Sequence, residues 1–167
     1  MTYERFEDLP VWKTAIQLGR AVYAFTERAA FQGQRSLRDQ LERAAVSVSN
    51  NIAEGFERGT TQELITFLYY ARGSAGEVRS MLCLVEGVEA FARYGPEITA
   101  LKSLAESCSR QLRGWAESLQ SSDITGTRYL DDRVRGHEAQ KRRAKAFQAH
   151  LARISAASSA NRSPHAG

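Results

Sequence analysis

Apolar residues recur every three to four positions through four stretches of the chain, the spacing that lines one face of an α-helix. The first stretch carries two such rows: Val11, Ala15, Leu18, Val22 and Phe25, then Trp12, Ile16, Gly19 and Tyr23. Asp8 is placed to accept from the free amides of a first turn. Pro10 suits an early helical position, where its missing N–H has no partner to lose. The pattern stops around Gly33. A second helix is predicted from Ser36, with Asp39 three residues on as a variant capping box. Its row is Leu37, Leu41, Ala44 or Ala45, Val48 and Ile52, and Gly55 and Gly59 bracket its end.

Thr60 and Glu63 form the capping box of a third helix, whose row runs through Leu64, Phe67 or Leu68, Ala71, Ala75, Val78, Leu82 and Val85. Extended to Phe91 it would span roughly 45 Å at 1.5 Å per residue. Gly73 and Gly76 within it each cost about 1 kcal/mol against alanine, which predicts a close helix–helix approach or a local bend there. Gly95-Pro96 is a stop and restart. The fourth row, Ile98, Leu101, Ala105, Cys108, Leu112, Trp115 and Leu119, alternates steps of three and four as a knobs-into-holes seam does, and ends near Ser121. Four amphipathic helices with short connections predict an all-α, antiparallel up-down-up-down four-helix bundle over residues 1–122.

Residues 123–167 break with this pattern and read as a basic C-terminal extension. Residues 137–154 have the makings of one short helix with Phe147, Leu151 and Ile154 on one side. The final Ser- and Ala-rich stretch has the composition of a disordered segment. The formal net charge of +4 is unevenly placed. From Arg133 onward there are eight Lys/Arg and one acidic residue, whereas the first 132 residues hold 15 basic and 18 acidic ones. A basic arm on a near-neutral body is a feature of nucleic-acid or acidic-partner binding. Candidate phosphate contacts are Lys141, Arg142, Arg143 and Lys145 in the arm. Arg35, Arg38, Arg43 and Arg58 around the second helix are further candidates, unless Asp39, Glu42 and Glu57 neutralise them.

The sequence offers little for catalysis. All three histidines, His137, His150 and His165, lie in the extension, so the bundle lacks the Glu-x-x-His pairs of di-iron helical proteins. No phosphate-cradling G-x-x-x-x-G-K-[ST] loop occurs. Glu54, Glu57, Glu63, Glu77, Glu86 and Glu89 have no histidine or nucleophile beside them and read as solvated or ion-paired side chains. No catalytic residue, metal ligand or cofactor is expected. The two cysteines, Cys83 and Cys108, both read as buried thiols. No apolar run approaches the ~18 residues of a membrane span. With no secretory signal in MTYERFEDLP, the expected location is the cytoplasm.

Three stretches together carry a family resemblance. FEDLPVWKTA at 6–15 is similar to an opening of the form Phe-x-x-Leu-x-Val-Trp. RAAVSVSNNIAEGFER at 43–58 is similar to Arg-Ala-x-x-Ser-Ile-Pro-x-Asn-Ile-Ala-Glu-Gly. ELITFLYYARGSAGEVRSML at 63–82 is similar to Phe-Leu-x-x-Ala-x-Gly-Ser followed by an acidic position, here Glu77. Over roughly the first 120 residues the chain thus resembles the bacterial family of 23S rRNA intervening-sequence proteins and diversity-generating-retroelement Avd accessory proteins. The resemblance implies a four-helix bundle assembling into a ring, commonly a homopentamer. It also implies association with RNA or DNA, and with a reverse transcriptase in the retroelement branch. It marks Arg43, Asn51, Glu54 and Gly55 as motif residues, with Asn51 and Glu54 expected to bond to helix ends and a neighbouring subunit. One departure is Ser49, where the family often has proline; it should leave the second helix straighter or better hydrogen-bonded. The broad apolar face of the first helix, and Ile65, Tyr69 and Cys83 beside the main row of the third, independently predict a homo-oligomer. Two functions are open on these grounds: a nucleic-acid-associated accessory protein, or a protein–protein scaffold without direct nucleic-acid binding.

Overall fold

The computed structural model describes residues 3–121. The extension with Lys141, Arg142, Arg143 and Lys145, and the helix expected at 137–154, lie outside the described residues. Four long helices make up the fold: α1 (Pro10–Thr26), α2 (Arg35–Glu57), α3 (Thr61–Glu86) and α4 (Gly95–Gln120). No strand occurs among the described residues. Each helix packs on the next in sequence and α4 packs back on α1, which closes a single core. None of these helices is long and apolar enough to cross a membrane.

The predicted rows are the core. Val11, Ala15, Leu18, Val22 and Phe25 of α1 are buried, as are Leu41, Ala45, Val48 and Ile52 of α2 and Leu64, Leu68, Ala71, Ala75, Val78, Leu82 and Val85 of α3. Each Val, Leu, Ile or Phe so buried contributes roughly 1.5–3 kcal/mol of transfer free energy. The second row of α1 is left half-buried or exposed. On α4 the stripe runs along Ile98, Leu101, Ala105, Cys108 and Leu112, then steps to Ala116, leaving Trp115 and Leu119 half-buried. A strict three-four repeat drifts by about 20° per heptad on a straight helix, so the buried stripe moves one residue ahead of the predicted seam.

Helix starts differ from expectation at two places. Asp8 does not cap α1; it closes a 3-10 turn over Phe6–Asp8, and the N-cap is Leu9. Pro10 holds Leu9 in extended backbone (φ −64°, ψ 125°), which makes Leu9 the boundary residue. The turn sets the Phe6 ring edge-on against Trp12, with centroids 5.3 Å apart. Ser36 does not cap α2 either. The helix begins one residue earlier behind Gln34, with no side-chain cap, and the Ser36 hydroxyl accepts from Gln40 instead. Gly33 turns the chain into it at φ +81°, a left-handed conformation that suits glycine. The Thr60 cap is as predicted: its hydroxyl accepts from the Glu63 amide at 3.2 Å and donates to the Glu63 carboxylate at 2.7 Å.

The third helix stops at Glu86 instead of reaching Phe91, and a 3-10 segment spans Glu89–Tyr94. Continued as an α-helix, Phe91 would point about 120° away from Val85, off the apolar face. The break brings Phe91 into an edge-to-face cluster with Phe31 (4.9 Å), which in turn meets Phe25 (5.2 Å). The expected burial of both cysteines holds for Cys108 alone. Burial pushes its thiol up to about 11, whereas Cys83, one residue past the core position Leu82, is exposed.

The close helix approach is at Gly55, not at Gly73 or Gly76. A Cβ on Gly55 would lie 2.6 Å from Phe67 Cβ and 3.3 Å from a Leu64 methyl, while Gly73 and Gly76 are exposed with nothing within 4 Å. Gly55 is therefore inside α2, where it lets α2 and α3 touch. Gly55→Ala is expected to destabilise the fold by about 1–3 kcal/mol through overpacking. Gly73→Ala should instead stabilise it, by up to about 1 kcal/mol of helix propensity. Urea unfolding of the two variants, monitored by circular dichroism, measures both signs.

Candidate nucleic-acid interface

The apolar row of α2 turns inward, which leaves a polar stripe at Arg43, Ser47, Asn50, Asn51 and Glu54 along its side. These positions are three or four apart and so share one face. Ser47 sits at the middle of it. The Asn51 amide donates to the Ser47 carbonyl at 2.8 Å and to its hydroxyl at 3.0 Å, and the Ser74 hydroxyl of α3 lies 3.1 Å from the same oxygen. This chain of bonds ties the stripe to α3 and fixes the Asn51 side chain with its amide nitrogen engaged. Asn51 thus bonds back onto its own helix one turn earlier, not to a helix end. Glu54 pairs with Arg58. Ser49 is buried, its hydroxyl donates to the Val46 carbonyl, and α2 runs through it without a break.

Grooves open on both sides of the stripe. One lies between α2 and α3, about 550 Å³, and is lined by Gln40, Arg43, Ser47, Ser74, Glu77 and Ser80 among others. The other is about 380 Å³ and adds Tyr23 of α1 to Arg43, Val46, Asn50, Asn51 and Glu54. Arg43 and Ser47 belong to both.

The four arginines predicted around α2 are not gathered into one patch. Arg35 and Arg38 sit at its start and Arg58 just past its end, roughly 30 Å away at 1.5 Å per residue. Three are compensated. Arg35 reaches Asp39 at 3.9 Å, Arg38 binds Glu42 at 2.8 Å, and Arg58 pairs with Glu54 and Glu63 and lies over the Phe67 ring. The neutralising partners are thus Asp39 and Glu42, as the sequence suggested, but Glu54 and Glu63 in place of Glu57. Arg43 is different. Its Nε donates to the Asp39 carbonyl at 3.3 Å, and it makes no ion pair among the described residues. It is exposed, and its charge faces the grooves.

Sequence reasoning did not single out Ser47, Ser74 or Asn50 for this face, and it treated Tyr23 as part of an apolar row. The available signal was the polar 43/47/50/54 spacing running beside the apolar 41/45/48/52 row. Among the described residues no group of three or more His, Cys, Asp or Glu could hold a metal ion.

The family model for 23S rRNA-intervening sequence proteins matches residues 7–114, nearly all of the helical region, and the chain belongs to that family. No curated protein matches it.

Glu42 gives this end of α2 a pH dependence. Burial opposes its ionisation, but the Thr26 hydroxyl at 2.6 Å and the Arg38 guanidinium outweigh that and hold its carboxyl below the usual glutamate value. A carboxyl whose folded pKa lies below its unfolded one adds stability above the unfolded value, and this is lost as pH falls through the folded one. Wild type should therefore lose stability below the ordinary glutamate value of 4.5 more steeply than Glu42→Gln does. Thermal melts of the two proteins between neutral and acid pH check this.

Proposed function

We propose that the protein is a non-catalytic, oligomeric accessory protein that associates with nucleic acid, as intervening-sequence and Avd proteins do, and that a reverse transcriptase is its protein partner. The observation that carries this reading is Arg43: a motif position of the family with no ion-pair partner among the described residues, set among hydroxyls and amides in open polar grooves that Glu77 and the Arg58-paired Glu54 also line. Lys141, Arg142, Arg143 and Lys145 of the basic extension would add phosphate contacts, so that residues 1–122 serve as a bundle and residues 123–167 as an electrostatic arm.

The helices are read as antiparallel. Cross-helix contacts support this: Ser47 meets Ser74 while Gly55 meets Phe67, and Thr14 meets Gln111 while Arg28 meets Glu97. Likewise Tyr69 meets Gln120 while Glu86 meets Lys102. In each pair one number falls as the other rises. A homopentameric ring is the assembly the family suggests. The half-buried Trp12 and Ile16 of α1 and the groove of about 680 Å³ lined by Ala21, Ala24, Phe25, Ala100, Leu101 and Leu104 supply apolar surface for it. That same groove favours a second reading, a protein scaffold that binds no nucleic acid.

The test is fluorescence anisotropy of a single-stranded RNA with the full-length protein, at several salt concentrations. Affinity should fall steeply with salt. Arg43→Ala should weaken binding and lower the slope of log K against log salt by about 0.7, one phosphate contact to a single strand. Arg38→Ala, whose charge is already matched, should change neither. Deletion of residues 123–167 should remove most of the affinity. Absence of RNA binding at every salt, with an oligomer still seen by light scattering, would leave the scaffold reading standing.

A further inference from the structure

We infer that the groove between Tyr23 and the polar stripe of α2 is a cradle for one unpaired nucleobase, so that the nucleic acid bound on this face is single-stranded. The inference rests on the nucleic-acid reading above and goes further, in naming a base-contacting site and the strandedness of its ligand.

Four features lead to it. The groove, about 380 Å³, has room for a base and its sugar. Tyr23 lines it and is 46% exposed, so that its ring is accessible to a ligand in the groove. Across from it are two adjacent amides in different states. Asn51 has its nitrogen held by Ser47, which leaves its oxygen as an oriented acceptor. Asn50 is exposed, with no hydrogen bond of its own side chain among the described residues, and is free to present either donor or acceptor. Arg43 supplies the charge for a flanking phosphate, and Glu54, whose charge Arg58 matches, also lines the groove.

An aromatic ring, amide edges and one cation are the chemistry by which proteins hold splayed-out bases of single strands. Phosphate attraction alone would need only the cation. Among the groove's residues the uncompensated cation is Arg43, which suits one nucleotide and is too little for a phosphate ladder.

The experiment compares the full-length protein's affinity for a 15-nucleotide RNA, an abasic oligonucleotide of equal length and charge, and a matched duplex, all at one salt concentration. The base-bearing single strand should bind about five- to a hundred-fold tighter than the abasic strand, the range stacking of a base on an aromatic ring provides. Tyr23→Ala should bring the two to near equality by lowering the affinity for the base-bearing strand, and Tyr23→Phe should restore the preference. Asn50→Ala should reduce it. Equal binding of abasic and base-bearing strands by wild type would overturn the cradle and leave the nucleic-acid function standing. Failure of every strand to bind would overturn both. A change in mass by light scattering for Tyr23→Ala would overturn the cradle in favour of a contact between copies of this chain.

Discussion

The contact between α2 and α3 at Gly55 constrains much of the structure around it. A helix pair joined by only Arg58, Gly59 and Thr60 must come together at once after the turn. Leu64 and Phe67 of α3 come up against α2 at Gly55, and only a residue without a Cβ leaves them room. With that point fixed, the rigid rise of each helix sets the register of the pair along its length. Two turns before Gly55 on α2, Ser47 comes level with Ser74, two turns after Phe67 on α3, and the two hydroxyls bond. The polar stripe of α2 is thereby held in one orientation. The glycine of the family motif is thus a packing residue, and the arginine and asparagine of the same motif occupy the face which that packing positions.

Charge on the surface is set by the same geometry. Pairs spaced four apart on one helix neutralise each other locally, as Arg38 with Glu42 and Arg110 with Glu106 do. Cross-helix pairs such as Arg28 with Glu97 and Lys102 with Glu86 are largely exposed and add little to stability, about 0–1 kcal/mol each. Their main effect is to remove charge from the surface. Arg43 has Ser47 four residues on, and Asp39 four residues back offers it only a backbone carbonyl because Arg35 is the closer claimant to its carboxylate. The cation exposed on this face is the remainder left by the pairing of the others.

The far end of the fold depends on a different compromise. The aromatic cluster of Phe25, Phe31 and Phe91 joins the end of α1 to two short 3-10 segments. Burying Phe91 requires the third helix to end at Glu86, with the Gly87 amide turning back onto the Leu84 and Val85 carbonyls. Several large apolar contacts outweigh the few helical hydrogen bonds that a longer α3 would have kept.

The sequence by itself determined the four helices, the rows they bury up to the last turns of α4, and the Thr60 cap, because these rest on interactions between residues three or four apart. Its family blocks also carried the membership, and through it the face of interest. It did not determine where α3 ends, that Cys83 is exposed, or that Gly55 and not Gly73 is the point of contact. Each of those depends on which residue of another helix arrives opposite. Nor did it tell Arg43 from Arg35, Arg38 and Arg58. All four read alike as cations near carboxylates along the chain. Only the folded side chains decided it: Arg35, Arg38 and Arg58 each take a carboxylate four residues away, Glu63 of α3 joins Arg58, and Arg43 is left with a backbone carbonyl.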